Sequence, residues 1–306
     1  MLKFRTTAST REKGSPGGRG RGFIGRSSFA VCAVVVLVCL GFARARFEDS
    51  SNQSANDLVR RVVANELRAE KQDDSHWLYR LKTERPNAPE EIEKVIQTKD
   101  GELKLPVLIN GQKPSAEEHR RSEAHLQDLM QHPEKLRKSQ RDEREDEERS
   151  RRLLKMLPQA FIFQFGERQG DLVQLNFKPN PHFNPPSHEA KVFHGMEGSI
   201  RVDDKQNRLA EISGHLMHEV KFGAGLLGHL DKGGQFYVKQ EQVTPGFWEL
   251  TALNVEMNGK ALFFKTISVH QKYSRSDFRK VPDNLTVAEG LKLLQQQNGA
   301  EQAALP

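Results

Sequence analysis

The sequence predicts an α+β protein built on one curved antiparallel sheet of about ten strands, a half-barrel with helices over its concave face and a hydrophobic helix ahead of it. Three observations carry that expectation. From Phe161 almost to the C-terminus, apolar residues recur at every second position, the spacing of a half-buried strand. The turns between these runs are short, and consecutive strands joined by short turns pair antiparallel, because a parallel pair needs a crossover of a dozen or more residues. Helical periodicity is confined to Leu58–Leu67, a charged stretch after Ser115, and Leu291 with Leu294.

The first helix is expected to be capped by Asn56 or Asp57, to carry Leu58, Val59, Val62, Val63 and Leu67 on one stripe, and to end near Lys71. Trp77, Tyr79 and Leu81 alternate as a strand. After Pro86–Pro89 the run Ile92–Lys99 meets Asp100-Gly101, a hairpin signal leading to Leu103–Ile109, and Asn110-Gly111 closes the unit. Ser115 with Glu118 forms a capping box that opens two helices divided at Pro133. The second, Glu134 to Leu157, is nearly free of apolar residues between Arg137 and Arg152 and reads as a solvated face or an excursion from the sheet. Strands follow at Phe161–Phe165, Val173–Phe177, Ile200–Val202, Ala210–Leu216 and Phe236–Val238, with a turn over Asp203–Asn207. Phe247–Met257 and Lys260–Val269 flank Asn258-Gly259, read as a two-residue hairpin turn. Thr286 and Glu289 cap a last helix, with a disordered tail over residues 298–306.

Charge removes one class of function. The chain of 306 residues has a net charge of +6, but eight of its 47 Lys and Arg lie in residues 1–45 with only one of its 41 acids. The remaining 39 basic and 40 acidic residues nearly cancel, so nucleic acid is not an expected partner. The basic segment precedes an uncharged stretch, Ser27 to Ala43, and Ala43-Arg44-Ala45 resembles a signal cleavage site. Residues 1–45 are therefore read as a signal peptide or signal anchor, which places residues 46–306 in the periplasm or holds them, outside the cytoplasm, on the inner membrane. Cys32 and Cys39 both lie in the apolar run, so residues 46–306 form no disulfide and no thiolate metal site. Residues 46–297 are expected to be one domain, with the charged excursion at 115–157.

No residue set amounts to a catalytic signature. His182, His188, His194, His215, His218 and His229 fall close together in sequence, with Asp203, Asp204 and Glu219 nearby. His215 and His218, however, point to opposite faces of a strand, and HLMHE lacks the HExxH order, so no metal is assigned. Phe222-Gly-Ala-Gly-Leu-Leu-Gly228 lacks the Lys-Ser/Thr ending of a phosphate cradle and reads as an apolar loop at the sheet rim. There is no Gly-x-Ser-x-Gly elbow. No cofactor is expected.

The layout, together with Met196–Leu216 (MEGSIRVDDKQNRLAEISGHL), resembles the lipoprotein-carrier-like superfamily of exported proteins, which includes the periplasmic outer-membrane lipoprotein carrier. The runs Gly234-Gln-Phe-Tyr-Val, Gly246-Phe-Trp and Gly259-Lys-Ala-Leu-Phe-Phe-Lys-Thr-Ile are similar to uncharacterised exported bacterial proteins of that group. The likeness covers Ala55 to Leu294 by pattern. It implies a non-enzymatic protein that holds a hydrophobic ligand, a lipid or acyl chain, or else an envelope protein partner, in an apolar concavity. Phe161, Phe163, Phe165, Val173, Leu175, Phe177, Phe222 and Trp248 would line that concavity. Each methylene taken from water would contribute about 0.8 kcal/mol. The excursion from Ser115 to Leu157 departs from the superfamily pattern and would either lid the cavity or fill it. The alternatives are a structural or interaction module with a self-filled cavity, and a metal-dependent hydrolase.

Overall fold

A computed structural model describes residues 48–187, 189–222, 227–261 and 265–304. The leader at 1–45, His188 and the glycine-rich residues 223–226 lie outside the described residues. Helix α1 (Glu48–Gln72) leads into strands β1 (His76–Glu84), β2 (Glu91–Thr98) and β3 (Gly101–Ile109). Helices α2 (Ala116–Gln131) and α3 (Pro133–Ala160) follow, then β4 (Phe161–Gln169), β5 (Leu172–Pro179) and a 3-10 segment (Glu189–Gly195). Next come β6 (Met196–Asp203), β7 (Arg208–Leu216), the short β8 (Val220–Phe222) and β9 (Gly228–Leu230), β10 (Gln235–Thr244), β11 (Phe247–Ala261), β12 (Lys265–Val281) and α4 (Val287–Ala304).

The expected α+β class with a large, open antiparallel sheet is observed. The strands run in the order β3-β2-β1-β12-β11-β10-β7-β6-β5-β4, every neighbouring pair antiparallel, with the β8–β9 hairpin attached to β11. Most neighbours are consecutive in sequence, as short turns dictate. The exceptions are β12, which inserts beside β1, and β10, which pairs with β7 across the β8–β9 hairpin. The Asp100-Gly101 hairpin and the turn after Asp203 form where the sequence places them, with Gly101 and Asn207 at positive φ. Ser115 and Glu118 make the full capping box, and Thr286 with Glu289 repeats it on α4.

Asn258-Gly259 is not a turn. Strand β11 runs straight through it, with Asn258 opposite Ser268 and Gly259 opposite Ile267, and the connection at 262–264 lies outside the described residues. The glycine serves close approach instead: a Cβ at position 259 would stand 2.2 Å from the His229 carbonyl oxygen, where β9 comes alongside. A second correction concerns α1, which begins eight residues before Asn56. Inside that helix, the Asn56 carboxamide donates to the carbonyls of Pro158 (3.0 Å) and Phe161 (2.8 Å) and accepts from the Phe163 N–H (3.0 Å). The amide thus occupies two ladder positions on β4, one margin of the sheet. Helix α4, with a backbone that stays helical to Ala304, outruns the expected end at Gln297.

Helices were expected on one side only. Instead, β1–β3 are covered on both faces. Trp77, Tyr79, Leu81 and Val95 join a large core with Leu58, Val59, Val62 and Val63 of α1, Leu153 and Leu157 of α3, and the Phe-rich strands. Leu78, Ile96, Leu103 and Leu105 point the other way and bury against Leu126 and Leu129 of α2, Leu136 of α3, and Leu291 and Leu294 of α4. The adjacent apolar pairs Trp77-Leu78 and Val95-Ile96 are what a strand covered on both sides requires.

Candidate functional site

Most of the aromatic stripe is packed into the protein's own core. Phe161, Phe163, Val173, Leu175 and Phe177 are at most 2% exposed, within the core shared with α1, α3 and the 3-10 segment. Their rings meet one another and Phe193 at 4.8–6.0 Å. Phe222 is half-buried against the same core. Trp248 is half-buried at the surface, donating to Gln206 Oε1 (3.2 Å) beneath the Arg208 guanidinium. Arg208 in turn holds Glu66 of α1 through two hydrogen bonds of 2.8 and 3.1 Å, and Glu66 Oε1 accepts from the Leu209 N–H. Burial raises the Glu66 carboxyl above its ordinary range in spite of that guanidinium. Among the residues expected to form the hollow, Phe165 alone is largely exposed, at 46%.

Beside the buried stripe lies the feature that sequence reasoning missed. Below the middle of α3, the sheet face turns from apolar to charged. The Tyr79 hydroxyl donates to Glu102 Oε1 (2.9 Å), Gln97 Nε2 donates to the same oxygen (3.2 Å), and Lys104 Nζ stands 3.2 Å from Glu102 Oε2. The Arg275 guanidinium lies 5.1 Å from the Tyr79 ring centre and 5.5 Å from that of Tyr273, with Glu249 within its field. Helix α3 answers with polar residues on its inward stripe. Leu136, Gln140, Glu143, Glu147, Ser150, Leu153 and Leu157 recur at three- and four-residue spacing, apolar at both ends and polar in the middle. The outer side of the helix is a solvated face, as expected, while the inner stripe packs on the sheet. The helix spans from Leu136 under the Gly101 turn beside β3 to β4, and its 28 residues reach about 42 Å.

Two carboxyls in this cluster behave oppositely. Burial, followed by the nearby Glu102 charge, pushes Glu143 up to about 8. Burial also raises Glu102, but Lys104 and Arg275, with hydrogen bonds from Gln97 and Tyr79, outweigh it and hold that group below its ordinary range. Glu143 is thus neutral at pH 7 and Glu102 ionised. Burial likewise lifts the Tyr79 hydroxyl well above 10. Helix α3 packs across these groups.

Open space is found at the rim. A cleft of about 880 Å³ lies between the first turns of α1, the end of α3 and the loop after β5 at 180–187, lined by Asn52, Arg60, Met156, Ile162, His182, Phe183 and Pro186. Phe161 forms part of its floor. A smaller one, about 390 Å³, runs along Ser54, Asp57 and Arg61 to Phe165, Arg168 and Asp204, the last two ion-paired. Both open beside β4. Among the described residues no helix is long and apolar enough to cross a membrane. No protein-family model, curated protein or solved structure matches the chain. The class that the structure defines is an α+β protein with a large, open antiparallel sheet.

Proposed function

We propose that this chain is an exported, non-enzymatic interaction module of lipoprotein-carrier-like build, a half-barrel whose concave face is covered and filled by α1 and α3. Residues 1–45 would direct it out of the cytoplasm, leaving it periplasmic or anchored in the inner membrane through Ser27–Ala43. One observation carries the reading: the residues that an acyl-binding hollow would need, Phe161, Phe163, Val173, Leu175 and Phe177, are spent on the protein's own core. An envelope protein partner would engage the open cleft beside β4, where apolar Met156, Ile162 and Phe183 mix with Asn52, Arg60 and His182. Native mass spectrometry and solvent extraction of protein purified from its host envelope test this reading. Recovery of protein free of lipid supports the filled module; a stoichiometric acyl ligand overturns it.

The same cleft favours a second reading, in which a hydrophobic ligand lies along Phe161, Ile162 and Phe183 at the rim rather than within the half-barrel. Replacing Ile162 and Phe183 by Asn separates the two outcomes. Loss of an extracted lipid in that variant, with the fold retained, assigns the ligand to the rim.

A further inference from the structure

Away from the cleft, the short β8–β9 hairpin gathers three metal-ligating side chains, Glu219, His229 and Asp231. Val220 pairs with Leu230 and Lys221 with His229, so Glu219, Lys221, His229 and Asp231 emerge on one side of the ladder while Val220 and Leu230 are buried on the other. The hairpin does not stand alone. Leu230 and His229 pair with Gly259 and Lys260 of β11, and the Asp231 N–H donates to the Asn258 carbonyl at 2.8 Å. The absent side chain at Gly259 permits that contact, so the backbone under His229 and Asp231 is fixed by the main sheet.

Their side-chain atoms converge. His229 Nε2 lies 3.2 Å from Asp231 Oδ1 and 3.7 Å from Glu219 Oε2, and the three ligand atoms lie within 4.8 Å of one another. A tetrahedral ion with bonds of about 2.0–2.1 Å holds its ligands roughly 3.3–3.4 Å apart. The two imidazole distances bracket that value without an ion in place. Lys221 approaches Glu219 through the other oxygen, Oε1, at 3.1 Å, and leaves Oε2 turned toward His229. One imidazole with two carboxylates suits a borderline ion rather than magnesium or calcium, which take oxygen ligands.

We propose that Glu219, His229 and Asp231 form a site for one divalent transition-metal ion of the zinc class, with a fourth position open to solvent. The competing account is a surface group in which His229 and Lys221 only pair with the two carboxylates. Calorimetric titration of the full chain with Zn²⁺ distinguishes them. Saturable binding of one ion is expected. It weakens by at least about tenfold in His229→Gln and in Asp231→Asn, and strengthens several-fold in Lys221→Met, which removes a competing cation. Thermal unfolding of each variant without metal checks that its fold is intact, and for these side chains outside the core the midpoint should not move. Absence of saturable binding overturns the proposal. So does binding that His229→Gln and Asp231→Asn leave unchanged, which would assign the ion to other histidines or to the leader cysteines.

Discussion

Glu143 is the residue whose chemistry is most legible in solution. Its carboxyl rises from an ordinary 4.5 to about 8 in the folded protein. Between those values the folded state binds more protons than the unfolded one, so stability falls as pH rises through this window and the loss is complete above about pH 8. Glu143→Gln should therefore leave the melting temperature unchanged near pH 4 and raise stability at pH 8.5 by about 1–3 kcal/mol. The gain falls short of the full shift because part of the side chain meets solvent. Thermal melts of both proteins across that range check the prediction; a constant offset at all pH values would sink it. Gly198 offers a steric counterpart. A Cβ there would stand 2.0 Å from the Ser213 carbonyl oxygen and 2.7 Å from Phe177 Cζ, whose ring covers the glycine. Gly198→Ala should cost about 2–4 kcal/mol in denaturant unfolding, since backbone cannot yield as a flexible side chain does.

At the scale of elements, helix α1 is tied to β4 by Asn56, to Arg208 and the Leu209 N–H of β7 by Glu66, to the turn before β7 by Asn65, and to Arg151 of α3 by Glu70. Asn56→Ala removes three hydrogen bonds and leaves main-chain groups of β4 and α3 without that partner. A loss of about 2–3 kcal/mol and faster amide exchange at Phe163 are expected, and unchanged exchange would refute the role. Helix α4 contributes mainly through Leu294, fully buried against β2 and β3, and Leu294→Ala should cost about 2–5 kcal/mol in the same assay. Helix α3 shows why sequence reasoning stops where it does. Its start at Pro133 was readable, yet its inward stripe was not, because periodicity is sought in apolar residues and this stripe is polar from Gln140 to Ser150. The stripe makes sense only against Glu102, Lys104 and Arg275, which reach it from strands distant in sequence.

Across the whole molecule, His76 pairs with Val281, so the sheet is complete only when nearly all of the chain is present. Such non-local pairing makes for slow folding, and removing residues 265–306 should abolish cooperative unfolding by circular dichroism rather than shorten the protein neatly. Local strand and turn signals made the α+β class, the Asp100-Gly101 hairpin and the alternating run from Phe161 legible. The insertion of β12 beside β1, the two-sided burial of β1–β3 and the convergence of Glu219, His229 and Asp231 were not, since each depends on which strands meet. The Asn258-Gly259 reading went astray for the same reason: a glycine needed by a neighbouring strand looks, in one dimension, like a glycine needed by a turn.

The outermost strands carry a final consequence. At one margin Asn56 already holds the Phe161 oxygen and the Phe163 nitrogen of β4, while at the other Pro106, beside a bulge in β3, has no N–H to offer. Neither side therefore presents an unbroken row on which a second copy could add and begin a growing fibre.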